Sequence, residues 1–287
     1  MRPLVLSGAG GGIGFLAGAL DSLIDQSHRF DKVVGVSSGA LVGIMYAMGR
    51  MNTLKDILFD ITDRQIVRKR PIRFALSALT GGKMGYYSNS PLRSLLRRNM
   101  INQTTLINYT CVSVNARTGA EMWWQIPKGT CFTKDVVDIN VSMIISSTAI
   151  PVAFTPEKIA GEYYSDGGSS THTPIRPTRQ LVPDADVMTI ISTALRERNE
   201  TGVGVMSLAG GMLGDLVSSV AEKDFREFEH KNELALLGDE RYSFIPSNIF
   251  RPNKKLSPTT RFHHRFTVPD YKHGQSVVLL SEKPISL

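Results

Sequence analysis

The stretch Gly35-Val36-Ser37-Ser38-Gly39 separates the apolar run KVVGV from the longer apolar run ALVGIMYAMG. A serine with glycines two positions before and two positions after it, between a strand and a helix, fits the G-x-S-x-G nucleophile elbow. The glycines relieve crowding around a sharp turn that thrusts the hydroxyl out above a sheet. The following helix aims its positive end at the oxygen that becomes negative during acyl transfer. The competing reading is that both serines cap the helix, a role serine favours. Only Ser37 has both flanking glycines, so Ser37 is the candidate nucleophile and Ser38 is not.

A serine nucleophile needs a base. A standard α/β-hydrolase sets its elbow after several strands and completes a triad with a downstream histidine. Here the elbow follows only the second candidate strand. His28 precedes it; His172, His230, His263, His264 and His273 follow, none in a setting that resembles the triad's terminal loop. A histidine-free mechanism would need another base.

The second cluster with chemical potential is LSGAGGGIGF, where positions 8 to 14 hold five glycines. Glycines opening a helix after a first strand can present backbone amides to an anion or cradle a pyrophosphate. The dinucleotide spacing from Gly8 fails at Ile13, leaving only the looser Gly12-x-Gly14-x-x-Ala17. The acid expected at the end of the second strand is absent, and the elbow takes its place. Nucleotide binding is the weaker alternative. The early Arg2 and apolar start resemble a leader peptide, but the glycines suit a loop and the uncharged runs fall short of the roughly 20 residues that span a bilayer. Neither a signal peptide nor a transmembrane helix is read.

The elements that must position these residues alternate. PLVL and KVVGV read as buried strands, and GFLAGALDSLI and ALVGIMYAMG as helices. This alternation implies a mostly parallel sheet covered on both faces. Further on, TCVSVNARTGAEMWWQI reads as a hairpin, KDVVDINVSMIISS as a helix stopped before Pro151, KIAGEYYSDGG as a strand pair, and DVMTIIST as a buried strand. Beyond about residue 200, Leu213, Leu216, Val217 and Val220 share a helical face.

The 287 residues carry a net charge of +7, which favours an anionic partner. No finger, basic zipper or aromatic-rich RNA motif is present, so nucleic acid is not expected. Arg64, Arg68, Lys69, Arg70 and Arg73 surround Ile66, Val67 and Ile72, a pattern that suits either an anionic membrane surface or a solvated face. Trp123 and Trp124 suit an interface, but neighbours on a strand face opposite sides, so at least one is expected in the core. Cys111 and Cys131 form no disulfide framework and read as small core residues in a reducing compartment.

Three pieces in order resemble the patatin-like phospholipase family: LSGAGGGIGFLAGAL, GVSSGALVGIMYA and AIPVAFTPEKIAGEYYSDGG, spanning about residues 3 to 195. The resemblance implies a three-layer α/β/α sandwich and a Ser-Asp dyad. Ser37 would attack an ester carbonyl, and Asp166 would act as general base on a turn freed by Gly167 and Gly168. Gly35 and Gly39 would shape the elbow. Gly8, Ala9, Gly10 and Gly11 would form the oxyanion loop, with Ala9, Gly12 and Ile13 departing from the family's Gly, Arg or Lys, and Gly. The implied activity is lipid acyl hydrolysis of phospholipid or lysophospholipid, without metal or organic cofactor. The alternative is a catalytically silent member that binds lipid or a protein partner. Residues 1–197 are expected to form the catalytic core and 198–287 a helical and β extension packed on it. The cytoplasm, with peripheral contact to anionic membrane, is the expected location; a second copy or a protein activator is left open.

Overall fold

A computed structural model describes residues 1–79, 85–194, 205–254, 256 and 263–281. The chain forms β1 (Pro3–Leu6), α1 (Ile13–Asp25), β2 (Lys32–Val36), α2 (Ser38–Ala47), α3 (Met51–Asp60) and α4 (Asp63–Ile66). It continues through β3 (Arg68–Lys69), α5 (Pro71–Leu79), β4 (Tyr87–Ser88), α6 (Ser90–Met100), β5 (Asn108–Asn115), β6 (Glu121–Ile126) and α7 (Val137–Ser147). It closes with β7 (Glu157–Ile159), β8 (Glu162–Asp166), α8 (Ile175–Leu181), β9 (Met188–Ile191), α9 (Val205–Leu236), β10 (Ser247–Phe250) and α10 (His264–Ser281).

The main sheet runs β10-β9-β1-β2-β5-β8-β7, with β6 also on β5. The pairs joining β10, β9, β1, β2 and β5 are parallel; β6, β8 and β7 add antiparallel pairs. Alternation along β1 divides the core. Leu4 and Leu6 face a cluster with α1, α2, α3, α6 and α7, whereas Val5 faces Ile175, Phe225 and Phe228 of α8 and α9. Helices therefore cover both faces, the α/β/α arrangement expected of a chiefly parallel sheet.

The register of β5 brings two distant strands together. β6 pairs along one edge from Tyr109 to Val114. On the opposite edge, β2 runs parallel up to Val36 opposite Val112, and β8 runs antiparallel down to Asp166 opposite Ser113. The two strands approach each other head to head and stop one register position apart. Ser37 and Asp166, 129 positions apart in sequence, follow from that junction.

The C-terminal α10 lies directly on α1. Cβ atoms added at Gly14 and Gly18 would fall 2.2 Å from the Thr267 carbonyl oxygen and 2.0 Å from that of Tyr271. Gly274 on α10 meets the Phe15 carbonyl in the same way, at 2.2 Å. The glycines let two backbones touch, and the Tyr271 hydroxyl donates to Asp21 across the contact. The use of Gly14 as a helix-packing residue gives the Gly12-x-Gly14 pattern a structural cause that involves no nucleotide.

Several local expectations are corrected. Cys111 is buried, but Cys131 lies in a loop and is exposed, so only one cysteine belongs to the core. Residues 64 to 73 are not one amphipathic face: Ile66 is buried in the main core, and the chain passes through α4, β3 and the start of α5. Trp123 and Trp124 are both half-buried and turned to different partners, Glu121 and Ser113, which leaves neither as a free interfacial anchor. On α9 the side chains of Leu213, Leu216 and Val217 lie outside the described residues; Val220 is half-buried.

Candidate active site

Ser37 has φ 55° and ψ −125°, outside the regions favoured by L-residues, and its hydroxyl makes no capping bond to α2. The helix-capping reading is thereby excluded. The strain is held by crowding that admits only glycine on either side. A Cβ at Gly35 would lie 2.5 Å from the Gly39 carbonyl oxygen, and one at Gly39 would lie 2.4 Å from that of Ser7. The Ser37 amide donates to Ser147 Oγ at 3.0 Å, and that hydroxyl donates to the Val112 carbonyl at 2.6 Å. Ser147, unremarked in the sequence, pins the backbone of the elbow from the end of α7.

The same helix end holds the other partner. The Asp166 amide donates to the Ala149 carbonyl at 2.9 Å, just before the Ile150-Pro151 step. The Asp166 carboxylate accepts the Gly168 amide at 2.7 Å, and the Ser37 side chain lies near enough to act on its titration. Burial pushes its pKa up to about 6, and Ser37 and the Gly168 amide hold it down against that trend. Gly167 is fixed by space rather than conformation: a Cβ there would meet the Val112 carbonyl at 2.4 Å. A serine and a buried carboxylate thus meet at one strand junction, and the carboxylate is ionised above about pH 6.

The glycine loop lies beside this pair. A Cβ on Gly8 would come 3.5 Å from Ser37 Cβ. The Gly8 amide, however, donates to the His172 carbonyl at 2.9 Å, so Gly8 departs from the expected donor set. Its place is structural. The amides of Ala9, Gly10 and Gly11 make no backbone hydrogen bond among the described residues. Gly10 takes φ 51°, a left-handed turn that orients this short run, and the Gly10–Gly12 turn runs straight into α1. At Gly12, where the resemblance expects a basic side chain, an added Cβ would lie 3.2 Å from Leu256 Cδ1. Leu256 occupies the direction in which such a chain would leave.

Of the histidines, His172 lies near the pair without completing a triad. Its ring approaches Gly8 and Gly168, and its Nε2 faces Thr193 Oγ1 at 3.4 Å. Burial lowers its pKa to about 4, so the ring is neutral at pH 7. Thr193 in turn donates to the Gly8 carbonyl and, through its amide, to Ser7 Oγ at 2.9 Å. These residues form a neutral frame for the loop. Ser38, by contrast, is buried with its hydroxyl unpartnered among the described residues.

A small apolar pocket, partly open to solvent, lies between α1, α2, α3, α4 and α6. Its lining includes Leu41, one turn along α2 from Ser37, and Ile13, just after the glycine loop, with Leu54, Leu58, Leu92 and Leu96. The one polar lining residue, Asn99, directs its amide nitrogen to the Leu95 carbonyl at 2.8 Å.

Among the described residues no helix is long and apolar enough to cross a membrane. The chain is 27% identical over 188 residues to NTE family proteins of Mycobacterium bovis and Mycobacterium tuberculosis, matching 65% of this chain and 48% of theirs. It thus aligns with about half the length of these relatives. Among solved structures it is similar to VipD from Legionella pneumophila, at 15% identity and a TM-score of 0.44, covering 97% of this chain and 67% of that one. A family model described as patatin-like phospholipase matches residues 4–179, which contain Ser37, Asp166 and the glycine loop. The chain belongs to the patatin-like phospholipase family.

Proposed function

We propose that this protein is a lipid acyl hydrolase of the phospholipase A or lysophospholipase type, working through Ser37 and Asp166. The observation that carries the reading is the meeting of Ser37, on a strained φ 55° backbone, with the buried Asp166 at the facing ends of β2 and β8. Asp166 takes the proton as Ser37 Oγ attacks the ester carbonyl. The amides of Ala9, Gly10 and Gly11 stabilise the tetrahedral oxyanion. Collapse releases the alcohol portion with the proton from Asp166. Asp166 then activates water against the acyl-enzyme, and the fatty acid leaves. The apolar pocket against Leu41 and Ile13 supports an acyl chain as the group held there.

A second reading, a silent member that binds lipid or a partner, draws on the crowded Gly12 position, which leaves the loop without the family's cation. Fatty acid release from phospholipid vesicles separates the two. Wild type and Ser38→Ala are expected to release product, while Ser37→Ala and Asp166→Asn are not. Vesicle binding by a wild type with no turnover would favour the silent reading.

A further inference from the structure

Helix α5 presents an apolar stripe to solvent. Ile72 is 76% exposed, Leu76 57% and Leu79 84%. Separations of four and three residues put them on one helical face. Single exposed apolar residues are ordinary, but three in one row on a nine-residue helix form a patch that calls for a partner. The opposite side is anchored: Phe74 is half-buried and meets Tyr86 edge-on at 5.9 Å.

The charge around this stripe has one sign. Residues 64 to 79 carry Arg64, Arg68, Lys69, Arg70 and Arg73 and no acidic residue. Among the described residues none of these five is in an ion pair. β3 pairs with β4, and the Tyr86 and Tyr87 amides donate to the Val152 and Ala153 carbonyls at 3.2 and 2.7 Å. Val152 is itself 75% exposed and has φ 67°, a conformation that β-branched residues avoid. The unit thus joins the pocket, through Ile66 just before β3, to the segment that leads into Asp166.

We infer that α5, with the basic residues before it, docks the protein on an anionic bilayer. Ile72, Leu76 and Leu79 enter the boundary between headgroups and acyl chains, and Arg68, Lys69, Arg70 and Arg73 lie among the lipid phosphates. A second copy of the chain is a poor occupant, because a symmetric contact would press five cations against five. The docking rests on the hydrolase reading only for its purpose, which is to bring the pocket mouth to its lipid.

Flotation with phosphatidylcholine vesicles, with and without phosphatidylserine, at low and high salt, tests this directly. Wild type and Ser37→Ala are expected to float equally with the anionic vesicles, and less as salt rises. Ile72→Ser/Leu79→Ser, and separately Arg68→Gln/Lys69→Gln/Arg70→Gln/Arg73→Gln, are expected to weaken binding by about tenfold or more. Both variants should hydrolyse a soluble short-chain ester at the wild-type rate, which shows that they fold. Equal flotation of both variants and wild type, or wild-type binding indifferent to lipid charge and salt, would overturn the inference. So would a wild-type dimer that the Ile72/Leu79 variant converts to monomer. A wild type that binds anionic vesicles through α5 but hydrolyses nothing would sink the hydrolase reading and leave the docking intact.

Discussion

Asp224, on helix α9, accepts the Thr173 amide at 2.8 Å and the Thr171 hydroxyl at 3.2 Å. Between them sits His172, whose carbonyl takes the Gly8 amide. A residue beyond the family-matched segment therefore fixes the stretch that holds the first turn of the glycine loop. Asp224→Ala leaves the buried Thr173 amide without its acceptor and is expected to destabilise by about 1–3 kcal/mol. Asp224→Asn keeps an acceptor and should restore most of that loss. Denaturant midpoints measure the stability, and ester kinetics should show kcat falling in the alanine variant with KM little changed.

The raised pKa of Asp166 has two consequences of opposite benefit. As a base it works only when ionised, so kcat/KM for a soluble ester should rise through about pH 6 and then level. The folded state, however, holds the Asp166 proton to higher pH than the unfolded state does. Asp166 therefore lowers stability progressively as pH rises from about 4 to about 6, and the cost is complete above that. Asp166→Asn is expected to be inactive and to melt higher than wild type at pH 8. The advantage should shrink to nothing near pH 4. A constant difference in melting temperature across that range would contradict the assignment.

The α1–α10 contact predicts an ordering among glycines. Gly18→Ala drives a Cβ to 2.0 Å from a backbone carbonyl that cannot yield without moving α10, and should cost about 3 kcal/mol or more. Gly12→Ala meets side-chain atoms and no backbone, with Leu256 Cδ1 nearest at 3.2 Å, and should be tolerated within about 1 kcal/mol. Thermal unfolding of the two variants tests the ranking.

The pocket predicts chain-length selection. Leu96→Trp places a bulky ring among Leu92, Leu54 and Leu58. Hydrolysis of long-chain esters should fall about tenfold or more while acetate and butyrate esters are unaffected, since discrimination in an apolar pocket is about 1–3 kcal/mol. Loss of all activity in parallel would place the acyl chain elsewhere.

Much of this fold is legible locally. The Gly35 and Gly39 pair marks the elbow because its sterics admit no side chain there. The β5–β6 hairpin announces itself through the turn at Arg117–Gly119, and α7 ends short of Pro151. What sequence conceals is non-local. Nothing near Ser37 says that β2 and β8 share one edge of β5, since register is a property of three strands at once. Ser147 looks like any helical serine until its hydroxyl is seen under the elbow amide. Gly14 invites a nucleotide reading because small residues look alike whether they admit a ligand or a neighbouring helix. Ile66 and Cys131 depart from the pattern of their sequence for a related reason: short elements and loops set burial there, and periodicity cannot resolve them.

Mass spectrometry after treatment with a fluorophosphonate tests the central claim most directly. One adduct per chain is expected in wild type, mapping to the peptide containing Ser37. It should be absent from Ser37→Ala, retained in Ser38→Ala and strongly slowed in Asp166→Asn. An adduct that persists in Ser37→Ala, or maps to another residue, would contradict it.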